Sequence, residues 1–335
     1  MPDLKIFAGR ASEKLAADIA AYIEAADPSW KSGRTKPVLG KVERKNFADG
    51  EQYDRPLENV RGDDVFIIQS TVQPDSNFLN LLFLVSTMKF ASAARVTAVI
   101  PYFGYSRQDR KDKSRAPVNI LPLIDALRGV DRVMLLDVHS TPTPDGFMLA
   151  GVKVDHLYAR PIFLKYLRAK KDELWGSSRG LLLAAPDANA EGLARAYKRA
   201  LGAQGHILIT KERSVEDGKA SVITVIGDPK GYDILIVDDM IDSGKTNCNA
   251  VDELKARGAE RIRSLATHAV LSGNAVERIQ QSGLEEVIVT DSIHHSALGT
   301  APPSKITVLS AAHLLGEAIL RTHNNASVSS LFDED

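Results

Sequence analysis

The sequence predicts an α/β protein of two similar domains, each a mostly parallel sheet flanked by helices. Three observations carry that expectation. Strand-like apolar runs alternate along the chain with stretches of helical periodicity, the order that gives parallel sheets covered by helices on both faces. One run, Ile234-Leu235-Ile236-Val237, is rich in β-branched residues and reads as a buried parallel strand. The chain has 335 residues, long for one hydrophobic core, so two successive units are expected.

In chain order, residues 1–5 lead into a short strand rather than a long apolar stretch, and no signal peptide is expected. Residues 28–41 are polar, punctuated by Gly and Pro, and read as a surface excursion. Strands are expected at 65–69, 96–100, 133–138, 181–185, 207–210, 234–237, 287–290 and 306–309, with helices at 77–90, 120–127, 193–201 and 247–257. The junction falls near Asp155, which divides the chain into domains 1–155 and 156–317. The most apolar stretch, 78–85, contains Asn80 and soon meets Lys89, so it cannot span a bilayer.

Composition narrows the function. Apolar residues make up 44% and charged residues 25%, ordinary for a soluble globular protein. A net charge of −1 gives no support for nucleic acid or a membrane surface as partner. Cys248 is the only cysteine, which rules out an intrachain disulfide and fits a reducing, cytoplasmic setting. Its place after a polar turn makes it a packing residue of the following helix.

The most informative segment is Asp238-Asp239-Met240-Ile241-Asp242-Ser243-Gly244-Lys245-Thr246, directly after that β-branched run. Two carboxylates end a strand, a short polar turn follows, and a helix opens at Lys245-Thr246. The turn aims backbone N–H groups and hydroxyls at one spot, where a helix N-terminus favours an anion. The carboxylates suit the vicinal hydroxyls of a sugar, and phosphate plus diol means a ribose phosphate. Gly-Lys-Thr invites a Walker A reading, but that motif needs a Gly where Asp239 stands. The pattern instead resembles the phosphoribosyl-pyrophosphate loop of phosphoribosyltransferases and ribose-phosphate diphosphokinases.

Four other segments carry candidate chemistry. From Arg107 to Arg115 there are five cations in nine residues, with Gln108, Asp109 and Asp112 among them, just after a strand. Such a loop faces water or a polyanion, and the carboxyl end of an α/β strand favours the latter. Tyr102, Phe103 and Tyr105 beside it suit either a base or a subunit contact. Asp137-Val138-His139 closes another strand, and its His suits either a structural hydrogen bond or a hard metal carried by nucleotide phosphates. Phe47-Ala48-Asp49-Gly50-Glu51 has the chemistry of a turn. Lys211-Glu212-Arg213 follows a strand and reads either as an exposed charged hairpin or as a mobile cationic loop over a transferring phosphoryl group.

Taken together, these segments resemble ribose-phosphate diphosphokinase, also called phosphoribosyl-pyrophosphate synthetase, over nearly the whole chain and in the family's order. Val60-Arg61-Gly62, Ile68-Gln69-Ser70-Thr71, Thr267 to Gly273 and Ser327-Val328-Ser329 match as well. The resemblance is to the class I form. It implies type I phosphoribosyltransferase-like domains and transfer of the β,γ-pyrophosphoryl group of MgATP to the C1 hydroxyl of ribose 5-phosphate, with release of AMP. Phe47, Asp49 and Glu51 would hold adenine from a neighbouring subunit, and Arg107, Gln108, Asp112 and His139 would surround the nucleotide. His139 and Asp187 match positions associated with Mg2+. Asp238 and Asp239 would bind the ribose hydroxyls, and Asp242, Ser243, Gly244, Lys245 and Thr246 the 5-phosphate. Lys211 and Arg213 match the catalytic loop. Arg61, Arg115, Ser327 and Ser329 match an allosteric phosphate site between subunits of a hexamer built from dimers, with the tail 318–335 folded back on the first domain.

Three departures from the family's pattern stand out. Ala188-Asn189-Ala190-Glu191-Gly192 replaces small glycine-containing residues after Asp187, and Thr141 to Phe147 replaces a Gln- and Phe-rich segment. Lys245 stands where the family commonly has Gly. Two alternatives follow from the same motifs: a phosphoribosyltransferase, which needs only the phosphate loop, and a catalytically silent regulatory paralogue.

Overall fold

The computed structural model describes residues 2–26, 39–111, 113–140, 142–175, 179–213, 221–295, 298 and 303–332, with backbone alone for 211–213 and 221–223. The chain divides into two compact units: residues 1–159 with 292–294 and 310–334, and residues 160–291 with 295–309.

In the first unit the strands are β1 (Leu4–Ala8), β2 (Leu39–Gly40), the hairpin pair β3 (Val42–Asn46) and β4 (Gln52–Pro56), then β5 (Asp64–Ile68), β6 (Arg95–Ile100), β7 (Arg132–Leu136) and β8 (Lys153–Leu157). Six of them form a parallel sheet in the order β2-β1-β5-β6-β7-β8, while β3 and β4 pair only with each other. All five residues of β5 are buried, as a parallel strand covered on both faces requires. Helices α1 (Glu13–Ala26), α2 (Ser76–Phe90), α3 (Ile120–Ala126) and α4 (Pro142–Leu149) belong to this unit. Leu81, Leu84 and Met88 of α2 fill the core against Val65, Ile67, Val96 and Ala98 of the sheet.

The second unit contains α5 (Arg160–Ala169), α6 (Lys171–Trp175), α7 (Glu191–Leu201), α8 (Lys245–Ala256) and α9 (Ala275–Gln281). Its strands are β9 (Leu181–Ala185), β10 (Gly205–Arg213), β11 (Ser221–Ile226), β12 (Asp233–Ile241), β13 (Ile262–Ala269), β14 (Glu286–Thr290) and β15 (Ile306–Leu309). They order as β11-β10-β9-β12-β13-β14-β15, parallel except for β11 at one edge. The chain leaves β9 towards one edge and resumes at β12 towards the other. The strand order therefore reverses between β9 and β12, and the crevice outside their carboxyl ends is where such sheets bind ligands.

Helix α10 (Ala312–His323) returns to the first unit, so the returning segment starts at Ser310 rather than near residue 318. Packing against α1 explains this. Tyr22 of α1 lies against His313 with ring centroids 4.5 Å apart, and its hydroxyl donates to Glu317 Oε2 at 3.1 Å. Gly316 makes the approach possible, since a Cβ there would sit 2.4 Å from Tyr22 Cδ1. At the end of α10, His323 Nδ1 lies 2.8 Å from Asp64 Oδ2, and Arg95 Nε donates to Asp64 Oδ1 at 2.7 Å. Burial opposes charge on Asp64, but the hydrogen bonds from Arg95 and His323 outweigh it and hold the carboxyl below its usual range.

Three further differences from the sequence expectation have local causes. Leu39 and Gly40 form the edge strand β2 instead of a surface excursion, paired with Ile6 and Phe7 of β1, and Gly40 lets the backbone pass close to the Phe7 ring, since a Cβ there would sit 2.3 Å from Cε1; residues 28–38 lie outside the described residues. Strand β7 stops at Leu136, since Asp137 turns the backbone to φ +36°. Strand β13 escaped the apolar pattern because Arg263 and Ser264 interrupt it. Its eight residues are nonetheless buried, and Arg263 donates to Leu174 O at 2.5 Å and Glu285 Oε2 at 2.6 Å.

Candidate active site

The second unit builds its site at the sheet reversal. Asp238 and Asp239 are half-buried within β12, which runs on to Ile241 instead of ending before the carboxylates, and Asp239 N–H donates to Asp238 Oδ1 at 2.9 Å. Burial, with the neighbouring charges of Asp239 and Asp187, pushes the Asp238 carboxyl up to about 8. The cluster thus keeps a proton at neutral pH and offers oxygens that suit hydroxyl donors or a cation. Beyond it, Leu271 N–H donates to Ile241 O at 3.0 Å and Ser272 N–H to Asp242 O at 3.1 Å, which fixes the turn to the end of β13.

Gly244 caps α8 in the left-handed region, φ +71°, a conformation that penalises any side chain. The first N–H groups of α8 have no acceptor inside the helix, and they open towards the turn. Lys245 is exposed as the first helical residue and Thr246 is half-buried, so a Lys is accommodated where the family commonly has Gly. The guanidinium of Arg278 on α9 donates to Ser243 O and braces the turn from behind. No local signal in the sequence marked Arg278, because it lies far along the chain from the loop. Asn247 Nδ2 donates to Ser264 Oγ at 2.6 Å and ties the first turn of α8 to β13. Cys248 is buried in α8, as a packing residue should be, and burial raises its thiol pKa.

Asp187 follows β9 at the same crevice. Its Oδ1 accepts from Asn189 N–H at 2.9 Å and Ala190 N–H at 3.0 Å, so the side chain holds the turn into α7. Glu191 and Gly192 already lie inside that helix, so this departure from the family's pattern falls on the turn and the first residues of α7. Lys211 and Arg213 continue β10 as extended backbone, paired with Ile223 and Ser221 of β11. The charged segment therefore begins as a strand arm; residues 214–220 lie outside the described residues.

The first unit carries the nucleotide-side candidates. Tyr102 and Phe103 are buried, with Phe103 packed on Phe147 at 5.5 Å between ring centroids; neither is available to a base or a partner. Tyr105 adopts φ +61° and donates its hydroxyl to Asp75 Oδ1 at 2.7 Å. Arg107, Arg110, Lys111, Lys113 and Arg115 are all exposed, and Gln108 Oε1 accepts from Asn119 Nδ2 at 2.5 Å. Asp112 lies outside the described residues. Ser140 Oγ donates to Asp109, which joins the basic loop to the loop of His139. His139 itself is exposed. A cavity of about 330 Å³ lies nearby, lined by Asp75, Phe78, Leu79, Tyr105, Asn119 and Leu123 among others; it is largely apolar, and no cation among the described residues lines it.

Phe47, Asp49 and Glu51 occupy the exposed tip of the β3–β4 hairpin, closed by Gly50 at φ +94° and by Glu51 N–H donating to Asp49 Oδ1 at 3.0 Å. A two-stranded hairpin is marginal alone. Here Asp54, whose side chain is 2% exposed, anchors it. Arg10 Nε donates to Asp54 Oδ1 at 2.9 Å, Asn80 Nδ2 to Oδ2 at 2.7 Å, and Arg10 Nη1 to Asn46 Oδ1 at 2.6 Å. These long-range partners left no trace in the local sequence.

At the tail, Ser327 Oγ and Ser329 Oγ lie 3.0 Å apart, and Arg321 Nη1 donates to Ser327 O at 3.1 Å. Arg321, rather than Arg61 or Arg115, braces this turn. Arg61 is exposed and donates to Ser92 Oγ at 3.3 Å, and Arg115 is exposed at φ +63°. Among the described residues, no three or more His, Cys, Asp or Glu side chains group as a metal cage, and no helix is long and apolar enough to cross a membrane.

Known proteins match this arrangement along the whole chain. Residues 4–130 match the model for the N-terminal domain of ribose phosphate pyrophosphokinase, and residues 209–333 that for the phosphoribosyl synthetase-associated domain. A ribose-phosphate pyrophosphokinase of Vibrio parahaemolyticus is 42% identical, with 99% of this chain and 100% of the relative covered. One from Chromobacterium violaceum is 40% identical over 99% of this chain and 95% of its own length. The crystal structure of phosphoribosylpyrophosphate synthetase from Mycobacterium smegmatis superposes with a TM-score of 0.84 at 30% identity, covering 97% of this chain and 100% of that one.

Proposed function

This chain belongs to the ribose-phosphate pyrophosphokinase family, and we propose how its residues divide the work of that reaction. The enzyme is a transferase of nucleotide biosynthesis. It moves the β,γ-pyrophosphoryl group of ATP to the C1 hydroxyl of ribose 5-phosphate, giving 5-phosphoribosyl 1-pyrophosphate and AMP. The observation that carries the assignment of roles is the crevice beside β12. A partly protonated carboxylate pair there adjoins a left-handed glycine and the open N-terminus of a helix.

Asp238 and Asp239 bind the vicinal hydroxyls of the ribose, while the backbone of Asp242, Ser243 and Gly244, with Lys245 and Thr246, cradles the 5-phosphate. Holding the sugar at both ends leaves its C1 hydroxyl in a fixed place, and in-line positioning is most of what phosphoryl transfer requires. On the nucleotide side, Arg107, Gln108, Asp112 and His139 surround the phosphates and adenosine. Phe47, Asp49 and Glu51 reach the adenine of a neighbouring subunit. An aromatic ring left 54% exposed at a hairpin tip supports a role at such a contact. Lys211 and Arg213 stabilise charge that develops on the transferring group.

Magnesium fits the donors available. Within the second unit, the exposed carboxylate of Asp187 offers the oxygen donor this hard ion takes, with the remaining positions left to phosphate oxygens and water; within the first unit, the exposed His139 stands on the nucleotide side, at a position the family associates with the metal. When bound, it neutralises phosphate charge and orients the chain of phosphates.

The enzyme assembles as a homo-oligomer, a hexamer built from dimers, in the cytoplasm. Leu79, Phe83 and Phe90 of α2 and Leu121 of α3 are exposed on the first unit, which supports burial against other copies. Phosphate regulates through Arg61, Arg115, Ser327 and Ser329. The test of the reaction is AMP formation from ATP that depends on ribose 5-phosphate. Formation of ADP with a sugar phosphate, or no turnover across metals and phosphate concentrations, overturns it.

A further inference from the structure

We propose that His156 is a positioning residue for the His139 loop, and that Tyr158 and Phe332 connect it to the C-terminal tail. The functional part of this inference rests on the reading of His139 as a nucleotide-side residue. The geometric part does not.

The end of β7 is held in an unusual way. One ladder bond continues past the strand, Asp137 N–H to Leu157 O at 2.9 Å. The backbone then turns at Asp137 to φ +36°, a region that residues with a Cβ rarely occupy. Past that turn, Val138 N–H donates to a side chain, His156 Nε2, at 3.1 Å. Asp137 Oδ2 accepts from Ala159 N–H at 2.9 Å, so this carboxylate serves the turn. One short segment, residues 156–159, therefore supplies three groups that hold a strained turn immediately before His139. Strain persists where surrounding bonds over-determine it, and it collects where a side chain must be aimed.

The chemistry of His156 suits this task. An N–H partner requires a lone pair on Nε2, so the ring is neutral and its proton sits on Nδ1. Burial holds the imidazole below its ordinary pKa, against the opposing pull of Asp137, and this keeps the acceptor available at neutral pH. His156 and Tyr158 are two residues apart at the strand end, on the same side, while Leu157 between them is fully buried on the other. Their rings pack at 4.7 Å between centroids and 47°. The ring of Tyr158 then meets that of Phe332 edge-on, at 5.4 Å and 85°. Phe332 closes the turn of Ser329–Leu331, the same turn in which the Ser327 and Ser329 hydroxyls face each other. A continuous path of contacts thus runs from the serines of the tail through two aromatic rings and one imidazole to the backbone that aims His139.

Amide exchange at Val138 in the ligand-free protein tests the geometry without any catalysis. His156→Phe keeps a ring and removes the acceptor, and should speed exchange at Val138 by about 5- to 10-fold, the size of one lost hydrogen bond. His156→Gln, whose Oε1 reaches the place of Nε2, should restore protection. Phe332→Ala, at the edge of the fold, should speed the same amide by a smaller factor and remains informative if the His156 variants fold poorly. Equal exchange in wild type and His156→Phe overturns the positioning role. Failure of Gln to restore what Phe removed assigns the effect to packing and overturns it too. A Phe332→Ala effect confined to the tail removes the connection. In turnover, His156→Phe should impair the use of ATP and leave KM for ribose 5-phosphate unchanged. If exchange responds as stated while ATP kinetics do not, the nucleotide role of His139 fails and the positioning role stands.

Discussion

The phosphate loop of the second unit and the nucleotide-side loops of the first hold polyanions by different means. The loop after β12 is nearly self-contained: nine consecutive residues, Asp238 to Thr246, supply the carboxylates, the turn and the helix N-terminus. The nucleotide side is assembled from distant pieces. Its hairpin depends on Arg10 and Asn80 meeting Asp54, and its His139 loop depends on residues 156–159. A site made of contiguous backbone can be recognised from a short stretch of sequence. A site made of loops pinned by remote side chains cannot, even when the loops themselves have telling compositions.

The largest expected effect lies outside both regions and tests whether they only bind. Lys211→Ala should lower kcat by on the order of 10²–10³, with KM for both substrates little changed, as removal of one charge-stabilising donor does. Steady-state kinetics with each substrate varied will decide it. A normal kcat would leave Lys211 as a surface charge on β10, and a change confined to KM would move it into one of the two binding regions.

A pair of substitutions crosses the comparison directly. Gly244→Ala puts a Cβ at φ +71°, which costs roughly 1–2 kcal/mol and distorts the phosphate cradle. KM for ribose 5-phosphate should rise by about 10-fold while KM for ATP barely moves. Asp54→Asn weakens the anchor of the hairpin in the other unit. It should raise KM for ATP a few-fold, leave the sugar unaffected, and lower stability by about 1–3 kcal/mol because Arg10, and Arg44 whose Nε lies 3.6 Å from Asp54 Oδ2, lose a charged partner. Reversed or equal effects on the two substrates would erase the distinction between the regions.

The fold was legible for a related reason. Parallel strands buried on both faces announce themselves as apolar runs, and the starts and ends of 181–185 and 306–309 coincide with β9 and β15. Strand β13 was missed because Arg263 is neutralised by Glu285, a partner 22 residues away that no local pattern reveals. The aromatic residues Tyr102 and Phe103 misled in the opposite direction: beside five cations they looked available to a ligand, but the sheet and Phe147 claim them. Arg278 and His156 were invisible as site residues, since each acts on a loop through a single contact with remote backbone.

The smallest expected effect isolates an electrostatic feature of the contiguous loop that depends on a group outside it. Asp238 titrates near 8 instead of its ordinary 3.8 because burial and the charges of Asp239 and Asp187 disfavour its ionised form. The folded protein therefore binds more protons than the unfolded chain between about pH 4 and pH 8. Stability must fall as pH rises through that window and level off above it, since slope follows the difference in bound protons. Thermal unfolding of the ligand-free enzyme should show Tm declining by on the order of 5 °C across this range. Asp238→Asn, a neutral isostere, should remove most of the decline, and Asp187→Asn only a small part, because Asp187 contributes less to the shift than burial or Asp239. The change belongs to the interacting carboxylates together, so Asp239→Asn should also flatten the curve. A wild-type Tm that is constant or rises from pH 5 to pH 8, with no dependence on Asp238, would mean that the loop carboxylates are both ionised at neutral pH and that even this site is as local as its sequence suggests.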